Sequence, residues 1–307
     1  MTDDATMQPA GQTPGQPPPQ RKRRRRLLWW VLGGLALLLA ANALLSDVDV
    51  PGEDRIGLIR VEGVILDAKD TVADLKRFGD SSSVKAIVLR IDSPGGGVVP
   101  SQEIHDAVQR VRTKHNKTVV ASMGTVAASG GYYIAAAADR IIANPGTLTG
   151  SIGVIMELVN LEGLLKKVGV EGVVVKSGHY KDIGSPFRKM GPDDRRILQS
   201  VMDDVHDQFI EAVAEGRSLD VDAVRTLADG RIFTGRQALD ADLVDELGDL
   251  DDAVRIAADM VGIEGEPTLV EPKKRFSIKE LIDSRMQGLL PKFDIQTGIQ
   301  LKYLMAF

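Results

Sequence analysis

Between residues 56 and 262, short apolar runs alternate with longer segments whose apolar positions recur every three or four residues. Ile56–Ile65 reads as a strand with a glycine turn, and Ala68–Phe78 as an amphipathic helix. Val84–Ile91 is a short run rich in β-branched residues, suited to a parallel strand buried on both faces. Pro100–Arg112 places Ile104, Val108 and Val111 on one helical face. Thr118–Ser122 predicts a strand, Ala127–Ala138 a small-residue helix, and Arg140–Ala143 another strand. The apolar run Ile152–Met156, a helix about Leu161–Val168 and a strand at Gly172–Lys176 follow. The longest helix begins at Pro192, with Asp193 and Asp194 in its first turn, where the helix dipole favours acids. Ile197, Val201, Val205, Phe209 and Val213 then repeat every four residues, and shorter helices lie near Asp220–Ala228 and Leu250–Val261. This alternation predicts one α/β domain with a mostly parallel sheet.

The N-terminal region has a different pattern. Residues 1–26 form a Pro- and Gln-rich tail ending in the basic cluster Arg21–Arg26, and read as disordered. Leu27–Leu45 is almost wholly apolar, near the ~20 residues that span a bilayer. Trp29 and Trp30 sit at its basic end, where interfacial aromatics belong. The pattern predicts a signal-anchor over 27–45 with its N-terminus in the cytoplasm, a linker at 46–55, and the domain 56–275 on the outer side of the cell membrane. The alternative is a signal peptide cleaved at Ala41-Asn42-Ala43.

Composition narrows the chemistry. There is no cysteine, which removes disulfides, thiolate metal sites, a cysteine nucleophile and a lipoprotein anchor. The four histidines have no zinc-motif spacing, so neither a metal nor another cofactor is expected. The net charge is −5 even with the basic tail included, so the body is more acidic still and unsuited to nucleic acid.

Three segments carry candidate chemistry. Asp92-Ser93-Pro94-Gly95-Gly96-Gly97 follows a buried strand. It suits either a plain strand-to-helix turn or a set of backbone N–H groups that hold an oxyanion. Phosphate-loop spacings are absent. Met123–Tyr133 brings Ser129 to a helix start among small residues, as an N-cap or as a nucleophile. It is not a GxSxG elbow, because Ala127 stands in the first glycine position. Lys176–Pro186 is a Gly- and Ser-rich loop with lysines, which are surface charges unless burial depresses the pKa and makes one a base.

Together these segments resemble the bacterial signal peptide peptidases of the SppA type, in the short single-domain form. The resemblance covers roughly residues 56–262. It rests on Ser-Pro-Gly-Gly at 93–96, Ala-Ala-Ser-Gly-Gly-Tyr-Tyr at 127–133, Thr149-Gly150-Ser151-Ile152-Gly153 and Gly178-His179-Tyr180-Lys181-Asp182, in family order. It implies the Clp-protease/crotonase-like fold of repeated ββα units. It implies Ser129 as nucleophile, Lys181 as general base and Ser151 as the hydroxyl that orients the lysine. The Gly96 and Gly130 N–H groups would be the oxyanion hole, and His179 a bystander. The implied substrates are signal peptides left in the membrane and other unfolded polypeptides. The implied assembly is a homo-oligomeric ring or dome in which Ser129 of one protomer meets Lys181 of a neighbour.

The alternatives are a crotonase-type acyl-CoA enzyme, a Ser-His-Asp hydrolase using His206, and a non-catalytic membrane scaffold. The 276–307 tail ends in the uncharged run Tyr303-Leu304-Met305-Ala306-Phe307. It is expected either to pack on the domain or a neighbouring protomer, or to lie in a substrate groove, where a sheet edge would pair with its backbone.

Overall fold

The computed structural model describes residues 54–272 and 302–305, and within 30–37 the residues Trp30, Val31, Gly33, Gly34 and Leu37. The chain divides into two units, Met1–Val50 and Pro51–Phe307. In the first, the five described residues are helical and exposed. The 1–26 tail, most of the 27–45 span, most of the 46–55 linker and most of the 276–307 tail lie outside the described residues. Among the described residues, no helix is long and apolar enough to cross a membrane.

The second unit runs β1 (Arg55–Glu62), α1 (Lys69–Asp80), β2 (Val84–Ser93), β3 (Gly95–Gly97), α2 (Val98–Lys114), β4 (Thr118–Ala128) and α3 (Gly130–Ala135). It continues with β5 (Arg140–Ala143), β6 (Leu148–Gly150), α4 (Glu162–Lys167), α5 (Pro192–Arg217), α6 (Val221–Leu227), β7 (Ile232–Thr234) and α7 (Gly235–Asp240). The last elements are β8 (Glu246–Leu247), α8 (Leu250–Val261), β9 (Thr268–Val270) and β10 (Lys302–Leu304).

β4 is the hub of the sheet. It pairs in parallel with β2, β5 and β6, and β2 continues through β1 to β9. β8 joins β5 in parallel, and β7 joins β6 antiparallel. The result is a mixed α/β fold on a parallel sheet, consistent with the Clp-protease/crotonase-like expectation.

β2 shows why the sheet is buried. Ile87, Leu89 and Ile91 face the larger apolar cluster with α1, α2 and α5, while Ala86 and Val88 face Ala253, Val254 and Ala257 of α8. Both faces are covered, so the centre of the strand, Ala86–Leu89, reads as a continuous apolar run rather than an alternation. Each such Leu or Ile contributes about 1.5–3 kcal/mol through burial. The longest helix starts at Pro192 as expected, and the Asp194 carboxylate accepts the Gly191 N–H at 3.0 Å to cap it.

Three expectations differ from the structure. Ala127 and Ala128 extend β4 rather than opening a helix, because Val126–Ala128 pair with Leu148–Gly150. The helix that follows is only Gly130–Ala135. Ile152–Met156 contributes an isolated bridge from Ile155 to Lys302. Gly172–Lys176 is irregular, with Val173 and Val175 exposed and no strand beside them among the described residues. The whole 157–190 excursion, with α4 inside it, is mostly exposed.

Candidate active site

The end of the hub strand sets the site. After Ala128 the chain turns sharply at Ser129, whose φ of 53° and ψ of −116° are unusual for a non-glycine residue. Two bonds hold this conformation. The Ser129 N–H donates to the Gly150 carbonyl at 2.8 Å, and the Ser129 carbonyl accepts from the Tyr133 N–H at 2.8 Å. The side chain is buried, and its Oγ has no hydrogen-bond partner among the described residues. An unpaired buried hydroxyl costs about 1–3 kcal/mol, so the fold maintains this one against its own stability.

The glycine strand β3 lies alongside. Its inner edge is taken by Ile65: the Ile65 N–H donates to the Gly95 carbonyl at 2.9 Å and the Gly97 N–H to the Ile65 carbonyl at 2.8 Å. That leaves Gly96 facing the other edge. There β10 runs antiparallel, pairing Lys302 with Gly97, Tyr303 with Gly96 and Leu304 with Gly95. The Met305 N–H donates to the Pro94 carbonyl at 2.9 Å. Hydrogen-bonded pairs recur every second residue in such a ladder, so Tyr303 and Gly96 form one, and the Gly96 N–H meets the Tyr303 carbonyl.

The glycines are required by closeness. Gly95 has φ of +101°, and a Cβ there would lie 2.1 Å from the Tyr303 oxygen and 2.8 Å from the Gly130 nitrogen. A Cβ on Gly130 would lie 2.5 Å from Ser101 Oγ and 3.3 Å from the Gly96 nitrogen. The Gly96 and Gly130 amides and the Tyr303 carbonyl therefore converge beside Ser129. Paired amides of this kind can hold the oxygen of a carbonyl under attack.

The segment is clasped on its other edge as well. Ile155 and Lys302 exchange N–H to carbonyl bonds of 3.1 and 3.3 Å. The Tyr303 side chain is 0% exposed. It stacks on Tyr133 at 5.2 Å between centroids, meets Phe209 at 4.7 Å, and donates its hydroxyl to the Val205 carbonyl at 3.1 Å. Burial pushes the Tyr303 phenol well up, so it stays protonated as that donor. His105 packs on Tyr133 at 4.8 Å, and burial pushes its imidazole down, outweighing Asp106, which favours the charged form. A mainly apolar cavity of about 730 Å³ and a mixed one of about 440 Å³ flank the segment, and Leu304 lines both.

Ser151 also belongs to this neighbourhood. It follows Gly150, the acceptor of the Ser129 N–H, has φ of 50°, and lines the smaller cavity with His206. Lys181 does not join them within this chain. It sits exposed in the 157–190 excursion, its N–H donating to the Gly178 carbonyl at 3.1 Å. His206 does not bond Ser129 either, since the serine Oγ is unpaired.

The structure thus gathers Ser129, Gly130, Gly96 and Ser151, and leaves Lys181 apart. The aromatic pocket went unrecognised in the sequence. Val205 and Phe209 read there as part of a core stripe, and Tyr133 as one residue of a motif. A signal was available in the tail, where Tyr303 is an aromatic in a chain that is only 4% aromatic.

The sequence matches the profile of Peptidase family S49 over residues 111–264 and that of Clp protease over residues 59–147. A Synechocystis protein described as a protease is 46% identical over 251 residues, covering 80% of this chain and 90% of the relative. The Enterococcus faecium signal peptide peptidase SppA is 38% identical over 213 residues, covering 65% of this chain and 62% of the relative. The chloroplastic serine protease SPPA of Arabidopsis thaliana is 31% identical over 276 residues, covering 81% and 40%. The chain therefore spans less than two thirds of the length of these last two relatives.

Proposed function

The chain belongs to peptidase family S49 and is a serine protease, and on that premise we propose that Ser129 is its nucleophile, Lys181 its general base and Ser151 the hydroxyl that orients the lysine amine. Neutral Lys181 takes the Ser129 proton as Oγ attacks the peptide carbonyl. The Gly96 and Gly130 N–H groups hold the resulting oxyanion. Collapse breaks the C–N bond, and Lys181 passes its proton to the leaving amine. Water then attacks the acyl ester, giving one proton to Lys181, and Ser129 regains its hydroxyl. The observation that carries this reading is the buried, unpaired Ser129 Oγ in a left-handed turn against two glycine amides, with a peptide strand laid across them.

The lysine comes from a neighbouring copy of the chain in this reading. Val159, Leu164, Val168, Val173, Val175 and Phe187 are exposed on the excursion that carries Lys181. A second protomer covers that apolar face and receives the amine, which closes a ring. The substrates are signal peptides and other unfolded chains, bound by strand addition between β3 and Ile155 as Tyr303 is. The exposed apolar helical residues Trp30, Val31 and Leu37 suit the 27–45 membrane anchor, which leaves the domain on the outer side. The tail strand is then a tethered competitor of substrate, with the Tyr303 carbonyl in the attacked position and Leu304 on the leaving side. Family membership removes the acyl-CoA and scaffold alternatives.

A fluorophosphonate label tests the dyad. It should react rapidly in the native protein, not at all in Ser129→Ala, and only at a slow residual rate, left by the oxyanion hole, in Lys181→Ala. Full labelling of Lys181→Ala, or of Ser129→Ala, would remove the mechanism.

A further inference from the structure

Lys181 sits in an exposed turn, yet a general base must be placed to within a fraction of an ångström. The turn is first tied to itself. Lys176 Nζ donates to the His179 carbonyl at 2.9 Å and to Asp182 Oδ1 at 2.7 Å. Asp182, the residue after Lys181, then accepts from Arg188 Nε at 2.9 Å and from Nη2 at 3.0 Å. The same guanidinium turns its remaining edge to Asp194, through Nη1 and through Nη2 at 3.2 Å. Asp194 caps α5, and α5 is rooted in the core by Phe209, Ile210 and Val213. Among the described residues, the other side-chain hydrogen bonds of the 157–190 excursion stay within it.

We propose that Arg188 is a positioning residue for Lys181: its planar fork joins Asp182 to Asp194 and so fixes the lysine turn to the rigid end of α5. This rests on the Ser129–Lys181 reading. Only a guanidinium spans the two carboxylates. A lysine at 188 keeps the charge but presents one ammonium, which cannot fork between both. Loss of the fork would leave the turn folded on Lys176 and free to swing, so the cost falls on the chemical step rather than on substrate binding.

The test measures the rate of fluorophosphonate labelling and peptide kcat and KM for Arg188→Ala and Arg188→Lys, each in the native and the Lys181→Ala backgrounds. Sedimentation monitors assembly alongside. The expected result is a 10- to 100-fold drop in kcat and labelling rate, the usual cost of losing a supporting contact, with KM and oligomer size unchanged. The drop should vanish in the Lys181→Ala background, where there is no base left to place. An equal drop in both backgrounds, an unchanged rate, or loss of the oligomer in both variants would overturn the proposal. Full labelling of Lys181→Ala alone would remove the dyad and the clamp together, whereas the other failures strike only the clamp.

Discussion

Tyr303→Ala should unmask the protease. In the native chain this side chain is fully enclosed by Tyr133 and Phe209, and its hydroxyl reaches the Val205 carbonyl. Truncating a buried aromatic to alanine costs about 3–5 kcal/mol. At 1.4 kcal/mol per decade, that weakens docking of the tail by about two to three and a half orders of magnitude. A tethered segment competes at an effective concentration of order millimolar, so even a weakly docked tail raises the apparent KM of a peptide present at micromolar levels. The variant should show a lower KM for a fluorogenic peptide, the same kcat, and faster fluorophosphonate labelling of Ser129. Tyr303→Phe keeps the ring and loses one hydrogen bond, worth about 0.5–1.5 kcal/mol, so it should fall between the two. Native KM and labelling rate in Tyr303→Ala would refute the reasoning, because the segment would then not stand between substrate and serine.

Mixing inactive Ser129→Ala and Lys181→Ala proteins under subunit exchange should restore partial peptidase activity, and proven mixed rings with none would place the dyad within one chain. Ser151→Ala should keep KM and lower kcat, measured with the same peptide; an unchanged kcat would free Ser151 from any part in placing the lysine. A reporter active only outside the membrane should work when fused after residue 50 and fail when fused before residue 20, and the reverse would invert the anchor. The Arg188 guanidinium and the Gly191 N–H hold the Asp194 carboxyl down at about 2. A depressed carboxylate stabilises the fold above its unfolded pKa of about 3.9, and that contribution drains away as pH falls through the folded value. Urea unfolding should therefore find Asp194→Asn less stable than native at pH 6, with the gap closing between pH 4 and 2; a pH-independent gap would contradict the assignment.

The sheet was legible because its strands are buried on both faces. Ala86–Leu89 and Ile141–Ala143 are continuous apolar runs at the centres of their strands. The serine and glycine parts of the site were legible through their motifs, although Ala127 at the first elbow position gave no hint that Ser129 adopts an elbow-like φ. Short pieces such as β7, β8 and β9 were not, since two or three residues carry no period. Val173–Val175 misled for a related reason. A valine run signals a strand only when another strand lies beside it, and these side chains are exposed in the single chain. The tail sequence allows packing on the domain or lying in a groove, and its described residues pair with β3 while Tyr303 is buried against the domain.

The two halves of the proposed dyad rest on ground of very different firmness. Ser129 follows the strand that pairs with three others at the centre of the sheet, so the amides of that strand exchange only when most of the domain opens. The 157–190 excursion buries little and opens at small cost. Amide exchange should therefore be slow in β4 and fast around Lys181 in the free protomer, then slow at both once copies assemble. A protease from outside would nick the lysine half first. What remained would be a folded serine scaffold, still able to bind peptide strands and unable to cut them.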